Sequence, residues 1–318
     1  MDPRGHRPAP RRHRRTGGLR PHRDICPAAS RRGHLPPLRR PDRDQAKFRF
    51  WGHDLAATLL PHTDVAAKSR KRASELALTA YLRDLVEKRR TEPDDSLLSS
   101  LVAAEEGGDR LSSGELVATA LLLLVAGFET TVNLIGNGTV ALLCEPEQWR
   151  RLGEEPALVP TAVEELLRYD SPVQMTSRIA TDDIELDGAG TVPKGAAILV
   201  AVGGANRDPD VFDHPNQLRI DRPEASRHLA FSVGIHHCLG VALARLEGSV
   251  AIDELTRRYA TLQMVGIPTQ RQLLVLRGYE QLAVRTPSSS MMSGHDAARG
   301  DTERSFSDGR PTTSRGTG

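Results

Sequence analysis

The most informative stretch of the chain is Phe231-Ser-Val-Gly-Ile-His-His-Cys-Leu-Gly240. A helical pattern, from about residue 239 to residue 259, begins directly after Cys238. The free N–H groups and the partial positive charge at a helix start stabilise a thiolate. A thiolate beneath a flat apolar slot is a good axial ligand for haem iron, and electron donation from its sulfur favours O–O cleavage. The segment therefore predicts a haem-thiolate site with Cys238 as the iron ligand.

Other residues of this stretch fit the same interpretation. Gly234 and Gly240 allow close approach of the backbone to a bound group and permit a left-handed or bulged conformation. His236 can donate a hydrogen bond to a haem propionate. Two alternatives remain: Cys238 could be a small buried hydrophobe, or His236, His237 and Cys238 could bind zinc. The zinc alternative is weaker, because three adjacent side chains do not ordinarily converge on one tetrahedral ion.

Length and composition exclude several classes of protein. The 318 residues allow one or two domains. The chain has three cysteines (Cys26, Cys144 and Cys238), a small and odd number that excludes a disulfide scaffold. A reducing compartment, and hence the cytoplasm, is expected. The longest strongly apolar run, residues 117–128, is too short to span a bilayer. The N-terminus has no apolar region typical of a secretory signal.

The formal charge of +2 combines two unlike parts. Residues 1–45 hold 13 Arg, no Lys and 4 Asp, a formal charge of +9, so the remainder carries −7. This segment has too little apolar surface to fold, and we expect a disordered arm. It could instead bind nucleic acid, although no aromatic residue is interleaved to stack on bases. A third interpretation is an out-of-frame translation of GC-rich coding DNA. We expect no nucleic-acid partner.

Hydrophobic periodicity predicts one mainly helical folded region at 46–286, followed by a disordered tail at 287–318. A helix is predicted over 73–90, with Leu76 and Leu78 on its apolar face. Ser112 and Glu115 form a capping box that opens a long apolar helix ending near residue 143. Further helices are predicted at 47–55, 95–104, 146–152, after Pro160, and 239–259, with strands at 184–186 and 196–202.

Several motifs, in this order along the chain, resemble those of the cytochrome P-450 family in its soluble bacterial form. They are Ala126-Gly-Phe-Glu-Thr-Thr131, Glu164-Glu-Leu-Leu-Arg168, Ala205-Asn-Arg-Asp-Pro209, Arg227-His-Leu-Ala-Phe231 and the cysteine segment. The resemblance covers about residues 45–286. It implies a mainly α structure with small β portions, a cytochrome P-450 fold lacking roughly its N-terminal third.

The resemblance also implies an activity. Haem b (iron protoporphyrin IX) would bind at Cys238, and one oxygen atom from O2 would enter a small apolar substrate. Electrons would come from NAD(P)H through ferredoxin reductase and ferredoxin. The alternative from a different class is a truncated, inactive homologue that does not hold haem stably.

Individual roles follow by the same resemblance. Thr130 would steady the oxygen group bound to the iron, and Glu129 would help to relay the protons that oxygen activation consumes. Arg178, His228 and His236 would bind the propionates, since buried carboxylates need donors. The other assigned positions are Ala126, Phe231, Gly234 and Gly240 against the haem, Val173 and Gln174 at the substrate cavity, and Glu165 with Arg168 as a structural pair.

Purely structural roles are the alternative for several of these residues. Thr130 and Thr131 could merely bond back to carbonyls in a buried helix. Glu165 and Arg168 could form a solvated salt bridge, and Gln174 could face water. Ser232 stands where the family usually has glycine. If that position needs a positive φ, serine costs about 1 kcal/mol or more.

Overall fold

The computed structural model describes residues 45–56, 65–106 and 111–286. The predictions for the arm at 1–44 and the tail at 287–318 lie outside the described residues. The described part is mostly helical, with short antiparallel strand pairs in its second half. This agrees with the fold class that the sequence predicts.

Eight α-helices lie within the described ranges, and the fourth is the longest. They are α1 (Gln45–Ala56), α2 (Val65–Thr91), α3 (Leu97–Glu106), α4 (Ser113–Cys144), α5 (Pro146–Glu154), α6 (Val159–Tyr169), the short α7 (Val202–Ala205) and α8 (Val241–Arg258). The capping box at the start of α4 is confirmed: the Ser112 side chain accepts from the Glu115 N–H, and the Glu115 carboxylate accepts from the Ser112 N–H. It satisfies N–H groups that the first turn leaves free.

The strands form four antiparallel pairs, each of two strands. β1 (Thr176–Ile179) pairs with β4 (Ala197–Val200), and β2 (Ile184–Leu186) pairs with β3 (Gly190–Val192) across a turn at 187–189. β5 (Gln263–Met264) pairs with β8 (Val284–Arg285), and β6 (Thr269–Gln270) pairs with β7 (Tyr279–Gln281). The last hairpin, β6–β7, packs against α4.

Two apolar clusters form the core, and α4 contributes to both. The first half of α4 packs with α1, α2 and α3 around side chains such as Phe48 and Leu82. The second half packs with α5, α6 and α8 around Trp149, Leu166 and Ile252. Gly138 permits the close approach of α4 to α6, because a Cβ there would lie 2.9 Å from Cδ1 of Leu166.

Most predicted elements appear near their predicted bounds, with two differences. The predicted helix at 73–90 begins eight residues earlier, at Val65. Leu76 was placed on the apolar face of that helix, but it is 54% exposed, whereas Leu78 and Leu82 are buried. The buried stripe of α2 follows positions 78, 82 and 86, and Leu76 lies off it.

The central helix also corrects the expectation about membrane spans. Within the described ranges, one helix (α4) is long and apolar enough to cross a membrane by length and composition. The apolar run at 117–128 is only part of it, because the helix continues through Glu129, Asn133 and Asn137. These polar residues are buried against other parts of the protein, which is typical of the core helix of a folded domain.

Candidate active site

The cysteine segment is a loop that leads into α8. The Cys238 N–H donates to the carbonyl of Phe231 over 3.0 Å, and the His237 N–H donates to the carbonyl of Gly234 over 3.0 Å. Ser232 and Gly234 have φ values of 59° and 63°. The left-handed backbone foreseen for Gly234 is therefore present, whereas Gly240 has an ordinary φ of −86°.

The surface of this loop suits a flat apolar group. Cys238 is free and exposed, so the alternative of a buried hydrophobe does not hold. Its neighbours Val233, Ile235 and Leu239 are 64%, 98% and 93% exposed. Large aliphatic side chains at such exposure form a surface suited to an apolar ligand. An exposed thiol within such a surface, close to a helix start, fits haem-iron ligation.

The arrangement of possible metal ligands bears on the zinc alternative at Cys238. Within the described ranges, no three side chains of His, Cys, Asp or Glu cluster so as to hold a metal ion.

The central helix carries the predicted relay residues. The Thr130 hydroxyl donates to the carbonyl of Ala126 over 2.6 Å, one turn back. Ala126 and Gly127 are exposed although the residues after 130 are mostly buried. This part of α4 therefore presents small side chains and one hydroxyl to open space, and the hydroxyl bond loosens the helix ladder locally.

Glu129 points away from this exposed surface. Its residue exposure is 2%, and Nη1 of Arg271 donates to its two carboxylate oxygens over 2.7 and 2.8 Å. Arg271 follows β6, 142 positions further along the chain. Sequence reasoning did not find this partner, because nothing local in the sequence indicates an ion pair over such a separation.

The three predicted propionate ligands differ in their surroundings. His236 is exposed in the cysteine loop, and Arg178, on β1, donates from Nη1 to the carbonyl of Ser177 over 2.7 Å. His228 has a side chain only 1% exposed, with Nε2 at 3.3 Å from Oε2 of Glu164. Its Nδ1 accepts from the Ala230 N–H over 3.2 Å. Nδ1 of His228 thus accepts a hydrogen bond and Nε2 faces the Glu164 carboxylate, and its propionate role stays a prediction.

The pair Glu165–Arg168 is fully buried, which excludes a solvated salt bridge. Nε and Nη2 of Arg168 donate to the carboxylate over 2.6 and 2.8 Å. Arg222, which the sequence reasoning missed, joins them at 3.1 and 3.2 Å. The two guanidinium groups also donate to carbonyls of Asn206, Asp213 and Pro215. The triad therefore fixes the segment 206–222, which runs towards the cysteine loop.

The two predicted substrate residues lie where α6 gives way to strand. Val173 forms an isolated bridge with Leu276. The Gln174 side chain donates to the carbonyl of Ser171 over 2.7 Å and packs against Gly203. Gln174 is thus held by the fold and does not extend into water.

The comparisons with known proteins agree with this geometry. The family model described as "Cytochrome P450" matches residues 53–277. The chain belongs to the cytochrome P-450 family.

Named relatives and solved structures are of the soluble bacterial type. The chain is 45% identical over 249 residues to vitamin D(3) 25-hydroxylase of Pseudonocardia autotrophica, covering 77% of this chain and 60% of the relative. It is 45% identical over 210 residues to 6-deoxyerythronolide B hydroxylase of Saccharopolyspora erythraea, covering 64% and 51%. CYP164A2 of Mycobacterium smegmatis with econazole bound matches with a TM-score of 0.73 at 41% identity, covering 78% and 62%. The chain spans about three fifths of the length of the curated relatives it matches.

Proposed function

We propose that this chain is the haem-thiolate part of a monooxygenase that inserts one oxygen atom from O2 into an apolar substrate. The observation that carries the proposal is the exposed Cys238 thiol, set in an exposed aliphatic loop that leads into α8. Family membership supports the same chemistry, and the names of two relatives describe hydroxylases.

The cofactor is haem b, with Cys238 as the iron ligand. Phe231, Gly234, Gly240 and Ala126 border it. Arg178 and His236 donate to its propionates, and both are charged or polar side chains near exposed surface. The bound haem supplies the iron at which O2 is activated. The protein contributes the sulfur ligand, the donors and an apolar surface that excludes water.

The overall reaction consumes O2, two electrons and two protons. One oxygen atom enters a C–H or C=C bond of the substrate, and the other leaves as water. Thr130 carries protons through its hydroxyl, which lies at the exposed part of α4. Glu129 is a second member of the relay that must first separate from Arg271, because both its oxygens are occupied.

The substrate and the redox partners are proposed by chemical class. Val173 and Gln174 border the substrate cavity, and the relatives named for vitamin D(3) and 6-deoxyerythronolide B favour a small apolar organic substrate. Electrons come from NAD(P)H through ferredoxin reductase and ferredoxin. We place the protein in the cytoplasm, without a membrane or nucleic-acid partner, in keeping with its two free cysteines in the described ranges.

The test is incorporation of labelled oxygen. Haem-loaded protein, ferredoxin, ferredoxin reductase and NADPH are incubated with styrene as a probe alkene under ¹⁸O2. We expect one labelled atom in styrene oxide from wild type and none from Cys238→Ala. Protein that takes up no haem would contradict the proposal and support the inactive homologue. Product without label would contradict O2 as the source of the inserted oxygen atom.

A further inference from the structure

Glu164 joins three separate segments of the protein through one carboxylate. Nε and Nη2 of Arg245, on α8, donate to its two oxygens over 2.7 and 2.8 Å. Nε2 of His228 lies 3.3 Å from Oε2. The side chains of His228 and Glu164 are 1% and 15% exposed. Glu164 itself lies on α6, so α6, α8 and the loop that carries His228 meet at this carboxylate.

Both partners of Glu164 also contact Phe231. The guanidinium carbon of Arg245 lies 5.2 Å from the centroid of the Phe231 ring, within the range of a cation–π contact. The His228 ring lies 5.6 Å from the same ring at an interplanar angle of 54°. The bond from the Ala230 N–H to Nδ1 fixes the His228 ring further. Two groups that lie against one carboxylate therefore also contact Phe231.

Phe231 in turn anchors the cysteine. Its carbonyl accepts the Cys238 N–H over 3.0 Å. Elsewhere in the loop, the His237 N–H donates to the carbonyl of Gly234 and its Nδ1 lies 3.2 Å from the carbonyl of Ser232. The Ser232 N–H donates to the carbonyl of Leu229, just before the loop. Residues 233–240 are all exposed. The position of the Cys238 backbone thus depends on how firmly Phe231 is held.

The neighbouring glutamate serves another part of the protein. Glu165 binds Arg168 and Arg222 and so fixes the segment 206–222. Glu164, one position earlier, contacts α8 and the segment that begins the cysteine loop. Adjacent positions on a helix lie on different faces, so the two carboxylates act on different segments.

We propose that Glu164 is a positioning residue for the cysteine ligand. Through Arg245 and His228 it holds Phe231, and through Phe231 it holds Cys238 in place for the haem iron. The proposal deepens the proposed function and rests on it. Groups that orient a metal ligand without touching the metal commonly change metal affinity roughly 10- to 100-fold.

The first experiment uses Glu164→Gln, which keeps the shape of the side chain and removes its charge. Arg245→Lys is a second variant that keeps the charge and removes the two-point contact. Glu154→Gln is the control, because Glu154 pairs with Arg150 on the exposed surface of α5. Haem is titrated into each protein, and the ferrous carbonyl spectrum is recorded. We expect roughly 10-fold or greater loss of haem affinity in both variants, with part of the band at the position of a neutral thiol ligand. The control Glu154→Gln should keep both the affinity and the band position of wild type.

The second experiment needs no haem. The apoprotein is alkylated with iodoacetamide, and the rates at Cys238 and at Cys144, which is also exposed, are compared by peptide mass spectrometry. We expect the ratio of the two rates to rise severalfold in Glu164→Gln and to stay at the wild-type value in Glu154→Gln. An unchanged ratio, or unchanged haem affinity, would overturn the proposal. If wild type itself takes up no haem, the proposed function fails while the alkylation ratio still decides this inference.

Discussion

Ser232 shows how one residue of the cysteine loop carries strain. Its φ of 59° lies in the left-handed region, where a Cβ approaches the following carbonyl. The loop nevertheless needs this conformation, because the next turn brings the Cys238 N–H back to the carbonyl of Phe231. Serine at this position therefore lowers stability relative to glycine.

Replacing Ser232 with glycine is expected to stabilise the protein by about 1 kcal/mol, since the left-handed penalty of about 1–2 kcal/mol is offset in part by the greater freedom of glycine in the unfolded chain. Urea denaturation of wild type and Ser232→Gly measures the difference. Gly234→Ala serves as the converse variant, because Gly234 has a φ of 63° and should lose stability. Equal midpoints for all three proteins would show that the loop is not strained.

Thr130 is the residue at which proton delivery is tested. Thr130→Val keeps the shape of the side chain and removes the hydroxyl, while Thr130→Ser keeps the hydroxyl. We expect Thr130→Val to divert NAD(P)H electrons from product to hydrogen peroxide and to lower product formation about 100-fold, the lower end of general acid–base contributions. Thr130→Ser should retain most of the product. The ratio of product to peroxide per NADPH is the measurement. Equal ratios in the two variants would show that the Thr130 hydroxyl does not deliver protons.

For single residues, the sequence predicted the features that depend on local patterns. The capping residues Ser112 and Glu115 and the left-handed backbone at Gly234 depend on neighbours in the chain. The partners of Glu129, Glu165 and His228 lie 142, 57 and 64 positions away. No local spacing indicates such pairs, so Arg271, Arg222 and the contact between His228 and Glu164 were missed.

The central helix is the element on which the rest of the described fold depends. Its polar residues Glu129, Asn133 and Asn137 follow one another at intervals of four and so share one face. That face meets the segment after β6: Arg271 binds Glu129, Gly278 packs on Asn133, and the Asn137 amide donates to the carbonyl of Arg277 over 3.1 Å. A polar stripe on an apolar helix therefore fixes the β6–β7 hairpin against α4.

Removing Arg271 is expected to destabilise the protein by about 3–5 kcal/mol, because Arg271→Met leaves the buried Glu129 carboxylate without its cation. The double variant Glu129→Gln/Arg271→Met should lose less than the sum of the two single variants, since neither charge is then left alone. Free energies of unfolding from urea titrations give the comparison. Additive losses would indicate that the two side chains do not interact in solution.

For the elements, periodicity predicted existence and type well and bounds less well. The helix α2 begins eight residues before its predicted start. The sequence did not reveal these residues as helical, because from Val65 onward they are mostly polar and exposed and give no clear apolar period. Helical periodicity predicts that Leu76 lies near the same face as Leu78 and Leu82, but burial follows the positions that contact α3 and α4. Which neighbour covers a helix is a tertiary property.

In the whole molecule, the charge on Glu164 links stability to pH. Burial alone would raise the pKa of Glu164, but its contacts with His228 and Arg245 outweigh burial and lower it from 4.5 to about 2. A carboxyl with a lowered pKa stabilises the folded state above its unfolded pKa and loses that contribution as pH falls through the folded value.

The difference in unfolding free energy between wild type and Glu164→Gln should therefore reach its largest value, up to about 3 kcal/mol, above about pH 4.5. This difference should decrease as the pH falls towards 2. Denaturation series at several pH values measure it, and the difference between the proteins removes the effect of the other carboxylates. A difference that stays constant across this range would show that the charge on Glu164 does not contribute.

The family and the fold class followed from motifs that recur at fixed spacing, since the cysteine loop, the central helix and the Glu165–Arg168 pair each have a local pattern. How these parts are held together did not follow. The Glu164 contacts, the triad with Arg222 and the hairpin on α4 arise from packing between distant segments, and only the structure shows them.

The ferrous carbonyl spectrum tests the central claim that the Cys238 sulfur binds haem iron as a thiolate. Haem-loaded protein is reduced, carbon monoxide is added, and wild type is compared with Cys238→His. We predict the strongly red-shifted Soret band of a thiolate-ligated carbonyl for wild type and the unshifted band for the variant. A wild type that binds no haem, or that shows only the unshifted band, would contradict the account.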